Sequence, residues 1–280
     1  MKSTKVHLVI IDPQNDFMDS PNSALPVAGA NADMDRLAEF IKTNGRKLED
    51  IHVTLDSHQE IDIAHPAWWR KADGSMVSPF TLIKADDIEA GIYTPRDQRQ
   101  YKRSLEYARQ LEKNGKYMLF IWPAHCRIGT WGHGVQPNLM NALTEWCVSE
   151  HAMVDFVTKG TNPFTEHYGG LQAEVPDATD SSTQLNTKLL SILQQADVIL
   201  IAGEALSHCV KETINQIADN IGDEHIKKIQ ILTDATSPVA AAKDAQGNLL
   251  SPDFPAIAQE WLRDIQKRGV QLTTTTTFFN

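Results

Sequence analysis

Short, nearly unbroken apolar runs recur along the chain: VHLVII at 6–11, DIHVTL at 50–55, YMLFIW at 117–122, MVDFV at 153–157, DVILIA at 197–202 and KIQILT at 228–233. Such runs predict strands buried on both faces. Between them, 31–44, 101–114, 136–150, 184–195, 207–219 and 253–267 place apolar residues three and four apart, the period of an amphipathic helix. The alternation predicts a doubly wound α/β fold, a three-layer α/β/α sandwich with a mostly parallel sheet of about six strands. VQLTTTTTF at 270–278 is rich in β-branched threonine and reads as a further edge strand, with a loose tail as the alternative.

Residues 59–100 break the rhythm, because HPAWWRKADGSMVSPFTLIKADDIEAGIYTPRD carries prolines and aromatics without a steady period. A long irregular connection of this kind is usually functional or disordered, and its aromatics favour an ordered cover. With 280 residues and 41% hydrophobic composition the chain suits one large domain spanning 1–280, with an irregular insert at about 59–116 covering the site.

Charge narrows the partners. The 36 acidic and 26 basic residues leave a formal charge of -10, which speaks against a nucleic-acid footprint and for small molecules or proteins as partners. Three cysteines, at 126, 147 and 209, form no CxxC pair and read as reduced thiols. The apolar run near the N-terminus is too short for a secretory leader or a membrane span, so a cytoplasmic location with no membrane partner is expected.

In a parallel sheet, ligands sit beyond the carboxyl ends of the strands. The polar residues there are Asp12 to Asp16, then Asp56-Ser57-His58, Pro123-Ala124-His125-Cys126, Lys159-Gly160, Gly203 to Cys209 and Asp234-Ala235. A lone strand-end aspartate is more often a turn or cap residue, and a lone lysine is more often solvated. Together with a thiol they make a device: lysine favours the thiolate and a carboxylate moves the proton.

Taken in order, IIDPQNDF, LDSH, WPAHCRIGT, VTKG, GEALSHCV and ILTDA resemble the isochorismatase-like cysteine hydrolases, in particular the nicotinamidase-like branch. The resemblance implies a catalytic triad of Asp12, Lys159 and Cys209, in which Cys209 attacks an amide carbonyl, Asp12 shuttles the proton and Lys159 holds the charged pair. It implies a cis peptide at Glu204-Ala205 and an oxyanion hole from the backbone N–H groups of Ala205 and Cys209. It also implies a divalent metal on Asp56, His58 and His125, zinc before iron or manganese, with Asp62 or His65 as further ligand candidates. The chemistry implied is hydrolysis of a small carboxamide through a thioester, with nicotinamide to nicotinate, a step of NAD salvage, as the best single substrate. Homo-oligomers are common in the family, so self-association is an expectation.

The familiar DWHP stands here as Asp56-Ser57-His58-Gln59, without its tryptophan. Trp68, Trp69 and Trp131 are candidates to replace it in the pocket wall, beside Phe17 and Glu204; Glu166 and His167 are candidates for the entrance. The long interval between Asp56 and His125, with an added helix and strand at 101–121, leaves the substrate open. A carbamoyl compound, a ureide, an isochorismate-like vinyl ether and a non-catalytic binding protein of the same fold are the other readings. His208, next to the thiol, projects differently from Cys209 and reads as a pocket or surface residue rather than the base. GTWGHG at 129–134 is no dinucleotide fingerprint, and neither a phosphate loop nor a GxSxG elbow is present.

Overall fold

Six parallel strands, in the order β10-β9-β8-β1-β2-β7, form the central sheet of the computed structural model, which describes residues 4–241, 246–249 and 251–280. They are β1 Val6–Ile11, β2 Asp50–Asp56, β7 Asp155–Lys159, β8 Val198–Gly203, β9 Ile229–Leu232 and β10 Gln271–Thr273. Every residue of β1 is buried, as its unbroken apolar run requires. Helices α1 Ala30–Asn44, α4 Pro137–Glu150, α5 Thr187–Gln194, α6 Lys211–Asn220 and α7 Phe254–Lys267 make the crossovers. Right-handed connections put α1 and α4 on one face and α5, α6 and α7 on the other, giving the three layers. Among the described residues no helix is long and apolar enough to cross a membrane.

Two of the apolar runs exchange roles relative to the sequence reading. The run at 117–122 supplies β6 Leu119–Ile121, which does not join the central sheet; it pairs antiparallel with β4 Thr81–Ile83. Its apolar character serves another core, since Leu119 and Ile121 bury themselves with Ile63, Trp69, Ile83 and Ile88. The sixth strand comes instead from the C-terminal run. Only 271–273 are extended there, at the sheet edge; Thr275 turns away and donates from its N–H and hydroxyl to Asp234 at 2.9 and 2.6 Å.

The irregular stretch after β2 is ordered in small pieces: β3 Trp69–Lys71, β4, α2 Ala85–Glu89, β5 Tyr93–Pro95 and α3 Tyr101–Asn114. β3 and β5 form a second antiparallel ribbon. These pieces share the smaller core just named, to which α3 adds Tyr107 and Leu111.

Candidate active site

Parallel register carries three side chains to one rim. Asp12 follows β1, Asp56 ends β2 and faces Lys159 at the end of β7, and β8 ends at Gly203 opposite Ile11. Gly203 has φ 113°, and a Cβ there would lie 2.1 Å from the Ile11 carbonyl oxygen, so only glycine lets the next loop leave this close to Asp12. That loop contains the cis peptide Glu204-Ala205 and runs into a π-helical turn, Leu206–Val210, which carries Cys209 and continues as α6. Such turns recur at functional sites because the extra residue redirects a side chain.

Lys159 is the hub. Its buried Nζ lies 2.9 Å from Asp12 Oδ2 and 3.0 Å from Asp56 Oδ1, donates to the His167 carbonyl at 2.8 Å and reaches Cys209 Sγ at 3.7 Å. Thr54 locks Asp12 in place, accepting from its N–H at 3.0 Å and donating to Oδ1 at 2.6 Å. Thr54 occupies Asp12 Oδ1, so Oδ2, on the Lys159 ammonium, is the oxygen left to take a proton. Burial pushes the Cys209 thiol well above its ordinary pKa despite the Lys159 ammonium, and burial likewise raises Asp12 against the pull of Lys159. The resting thiol is therefore protonated and needs a base to become a nucleophile. Burial disfavours the Lys159 ammonium, but Asp12 and Asp56 more than offset this and hold it charged.

Beside the hub three imidazoles converge. Nitrogens of buried His58, His65 and His125 lie within 4.8 Å of one another. Asp56 Oδ2 stands 3.0 Å from His58 Nε2 and 3.3 Å from His125 Nε2. The other ring nitrogens are held from outside: His58 Nδ1 by Asp62 Oδ2 at 3.1 Å and His125 Nδ1 by the Pro123 carbonyl at 2.8 Å. That arrangement fixes both rings with Nε2 inward, as outer hydrogen bonds do for metal-ligating histidines. Both nitrogens of buried His65 lack a hydrogen-bond partner among the described residues, and burial pushes this ring down to about 2, so it stays neutral. Inward imidazole nitrogens with one carboxylate are a donor set that suits a divalent transition metal. Gly160, φ 77°, closes the cluster's flank, where a Cβ would lie 3.0 Å from Asp56 Oδ1.

A cavity of about 30 Å³ opens beside Cys209, room for two or three waters. Phe17 lines it, with its ring edge-on to His125 at 5.5 Å, and so do Ala205, Glu166 and His208. The other wall candidates lie elsewhere. Trp69 is sealed in the smaller core, donating to the Ile63 carbonyl at 2.7 Å, and Trp68 donates to Ser104 at 3.0 Å and packs edge-on to Phe164. Trp131 is 52% exposed. Glu204 turns behind the loop, where it accepts from the Ser237 N–H at 3.2 Å. The aromatic walls are Trp122 and Tyr168, joined by a 2.9 Å hydrogen bond from the indole to the phenol. Trp122 opens the WPAHC motif and was legible there; Tyr168, in the loop after β7, carried no pattern. His167 stays under the lysine, its Nδ1 accepting from the Gly160 N–H at 3.3 Å. Ala205 N–H has no acceptor among the described residues.

No family model matches the chain, and no curated protein matches it in sequence. Solved structures do share its fold. The nicotinamidase/pyrazinamidase of Acinetobacter baumanii is 18% identical, with 99% of each chain covered and a TM-score of 0.59. The yeast nicotinamidase bound to the inhibitor nicotinaldehyde is 18% identical over 96% of this chain and 99% of its own, with a TM-score of 0.60. The pyrazinamidase of Pyrococcus horikoshii in complex with zinc is 19% identical over 96% and 99%, with a TM-score of 0.53. At these identities the likeness is one of fold: this chain has the three-layer architecture of nicotinamidases and related isochorismatase-family proteins.

Proposed function

We propose that the protein is a cysteine amidohydrolase that cleaves a small carboxamide through a thioester, with nicotinamide as the substrate that best suits the site. The observation that carries this reading is the Lys159 ammonium in contact with two buried carboxylates and the Cys209 sulfur at once. Asp12 Oδ2 takes the thiol proton as Sγ forms its bond to the carbonyl carbon. Lys159 keeps the resulting thiolate character and the Asp56 charge compensated. The oxygen that becomes negative is met by the N–H groups of Ala205 and Cys209, and one such donor supplies roughly 3 kcal/mol in a known case. Asp12 then gives its proton to the departing nitrogen, ammonia leaves, and water, deprotonated by Asp12, cleaves the thioester to release the carboxylate.

Asp56, His58 and His125 would hold a divalent metal, with His65 as a further donor. When bound, that ion supplies a Lewis acid at the cavity wall. Asp56 belongs to both groups, one oxygen toward Lys159 and the other toward the imidazoles, so the metal cluster and the triad are positioned by one side chain. Phe17, Trp122 and Tyr168 line the cavity beside the thiol and limit the water there.

The test is ammonia release from nicotinamide, pyrazinamide and benzamide with zinc, iron or manganese supplied. Turnover of at least one, lost in Cys209→Ala with the fold intact, is expected; no ammonia from any amide with any metal would sink the proposal.

A further inference from the structure

A second chamber, of about 270 Å³, lies behind the active-site cavity, and the two share a partition of Trp122, Tyr168 and His208. The chamber is walled by rings. Tyr117 stands 4.6 Å from Tyr168, and Phe254 is edge-on to His208 at 4.7 Å. Phe120 and Ile257 complete the apolar lining.

One charged group in this lining is unmatched. The Lys211 ammonium lies 4.8 Å from the centre of the Tyr117 ring and makes no ion pair among the described residues. Neighbouring charges do not neutralise it. Glu212 is committed to Lys116 at 2.7 Å, and burial, then the Glu212 charge, pushes the Glu174 carboxyl up to about 8, so it is protonated at neutral pH. Burial, then Lys211 itself, pushes His208 down to about 3 and keeps it uncharged.

We propose that this chamber is a second ligand site, for a small apolar monoanion: an aromatic or aliphatic body among the rings, with a carboxylate received by Lys211 Nζ. A cationic guest is disfavoured, because Lys211 already occupies the Tyr117 face and would repel it. A neutral apolar guest leaves the ammonium unmatched. An anion satisfies it, and charge-assisted hydrogen bonds are the stronger kind. The site stands apart from the amidase proposal, because binding is read without turnover.

Isothermal titration of the full chain with 3-phenylpropanoate and with 3-phenylpropan-1-ol tests it. One molar equivalent of the acid should bind, at least tenfold tighter than the alcohol. Lys211→Met should bring the acid to the alcohol's affinity. Ile257→Trp, which fills the chamber from a position outside the catalytic cavity, should weaken the acid at least tenfold, with thermal melts confirming that both variants fold. The proposal is overturned if the acid does not bind the wild type or binds no better than the alcohol. A preference surviving in Lys211→Met, or unchanged binding to Ile257→Trp, overturns it equally.

Discussion

The strands β1, β2 and β7 carry polar side chains at both of their ends. At the amino ends, His7, His52 and Asp155 form a chain: His52 Nδ1 meets Asp155 Oδ2 at 3.0 Å, and His52 Nε2 meets His7 Nδ1 at 3.2 Å. This chain runs out to a carboxylate whose side chain is 41% exposed, so water shares its charge. At the carboxyl ends, Asp12, Asp56 and Lys159 are sealed from solvent together, and around them both His65 nitrogens, Glu166 Oε2 and His167 Nε2 have no hydrogen-bond partner among the described residues. One end closes its polar groups on each other and on solvent. The other keeps concentrated charge and unused donors and acceptors, a costly state that a fold retains where a ligand or a reaction uses it.

The largest break in this comparison comes from the hub. Lys159→Met leaves two buried carboxylates without their cation, and removing one partner of a buried ion pair costs about 3–5 kcal/mol. Chemical denaturation should show a loss of this size, and turnover on whichever amide is accepted should fall on the order of 10⁴-fold, as for a residue that acts as part of a unit. A variant with wild-type stability would mean that Asp12 or Asp56 is neutral in the fold.

Metal sharpens the contrast next. Zinc added to metal-stripped protein at about a hundred times its dissociation constant should raise the unfolding free energy by roughly 2.7 kcal/mol. His125→Ala should abolish that gain in a thermal melt, whereas His52→Phe should keep it, because His52 belongs to the closed end. Equal stabilisation of His125→Ala and wild type would move the ion away from the His58 cluster.

Much of this rim was legible in the sequence, because residues that close an apolar run in a parallel sheet must share one edge. That rule placed Asp12, Asp56, Lys159 and Cys209 in a wider set of strand-end residues, and the ordered motifs singled them out. The membership of the sheet was less legible: LFI at 119–121 is as apolar as a central strand, and only its pairing with Thr81–Ile83 assigns it to the other core. Strands of three residues, as in β3, β4 and β5, are too short to display a period of two, so 59–100 read as irregular. Pocket walls depend on loop geometry, and for that reason Trp68, Trp69 and Trp131 drew attention while Trp122 and Tyr168 hold the positions.

A smaller effect is expected from acid. Burial, then Lys159, pushes His167 down to about 3, and burial, then Lys211, does the same to His208. Unfolding returns each ring to the ordinary histidine value near 6.5. Their stabilising contribution is therefore complete above about pH 6.5 and is lost as the pH falls toward 3, at up to roughly 1.4 kcal/mol per pH unit for each ring. Urea midpoints measured between pH 7 and pH 5 should fall, and His208→Phe should fall less steeply than wild type. An identical slope in the variant would mean that His208 already titrates normally in the fold.

The smallest effect belongs at the closed end, and it is where the comparison is most exposed to error. Asp155→Asn keeps a hydrogen-bond acceptor for His52 Nδ1 but removes the charge. With its carboxylate already shared with water, the change should cost less than about 1 kcal/mol. The carboxyl-end site should not feel it: Asp155 and Lys159 lie at opposite ends of β7, about 13 Å apart at roughly 3.3 Å per residue, beyond a Debye length in physiological salt. Turnover and zinc binding should stay within twofold of wild type while the melting temperature moves by a few degrees at most. A large loss of turnover in this variant would mean that the histidine chain and the catalytic rim are coupled through β2, and the division between a closed end and a working end would fail.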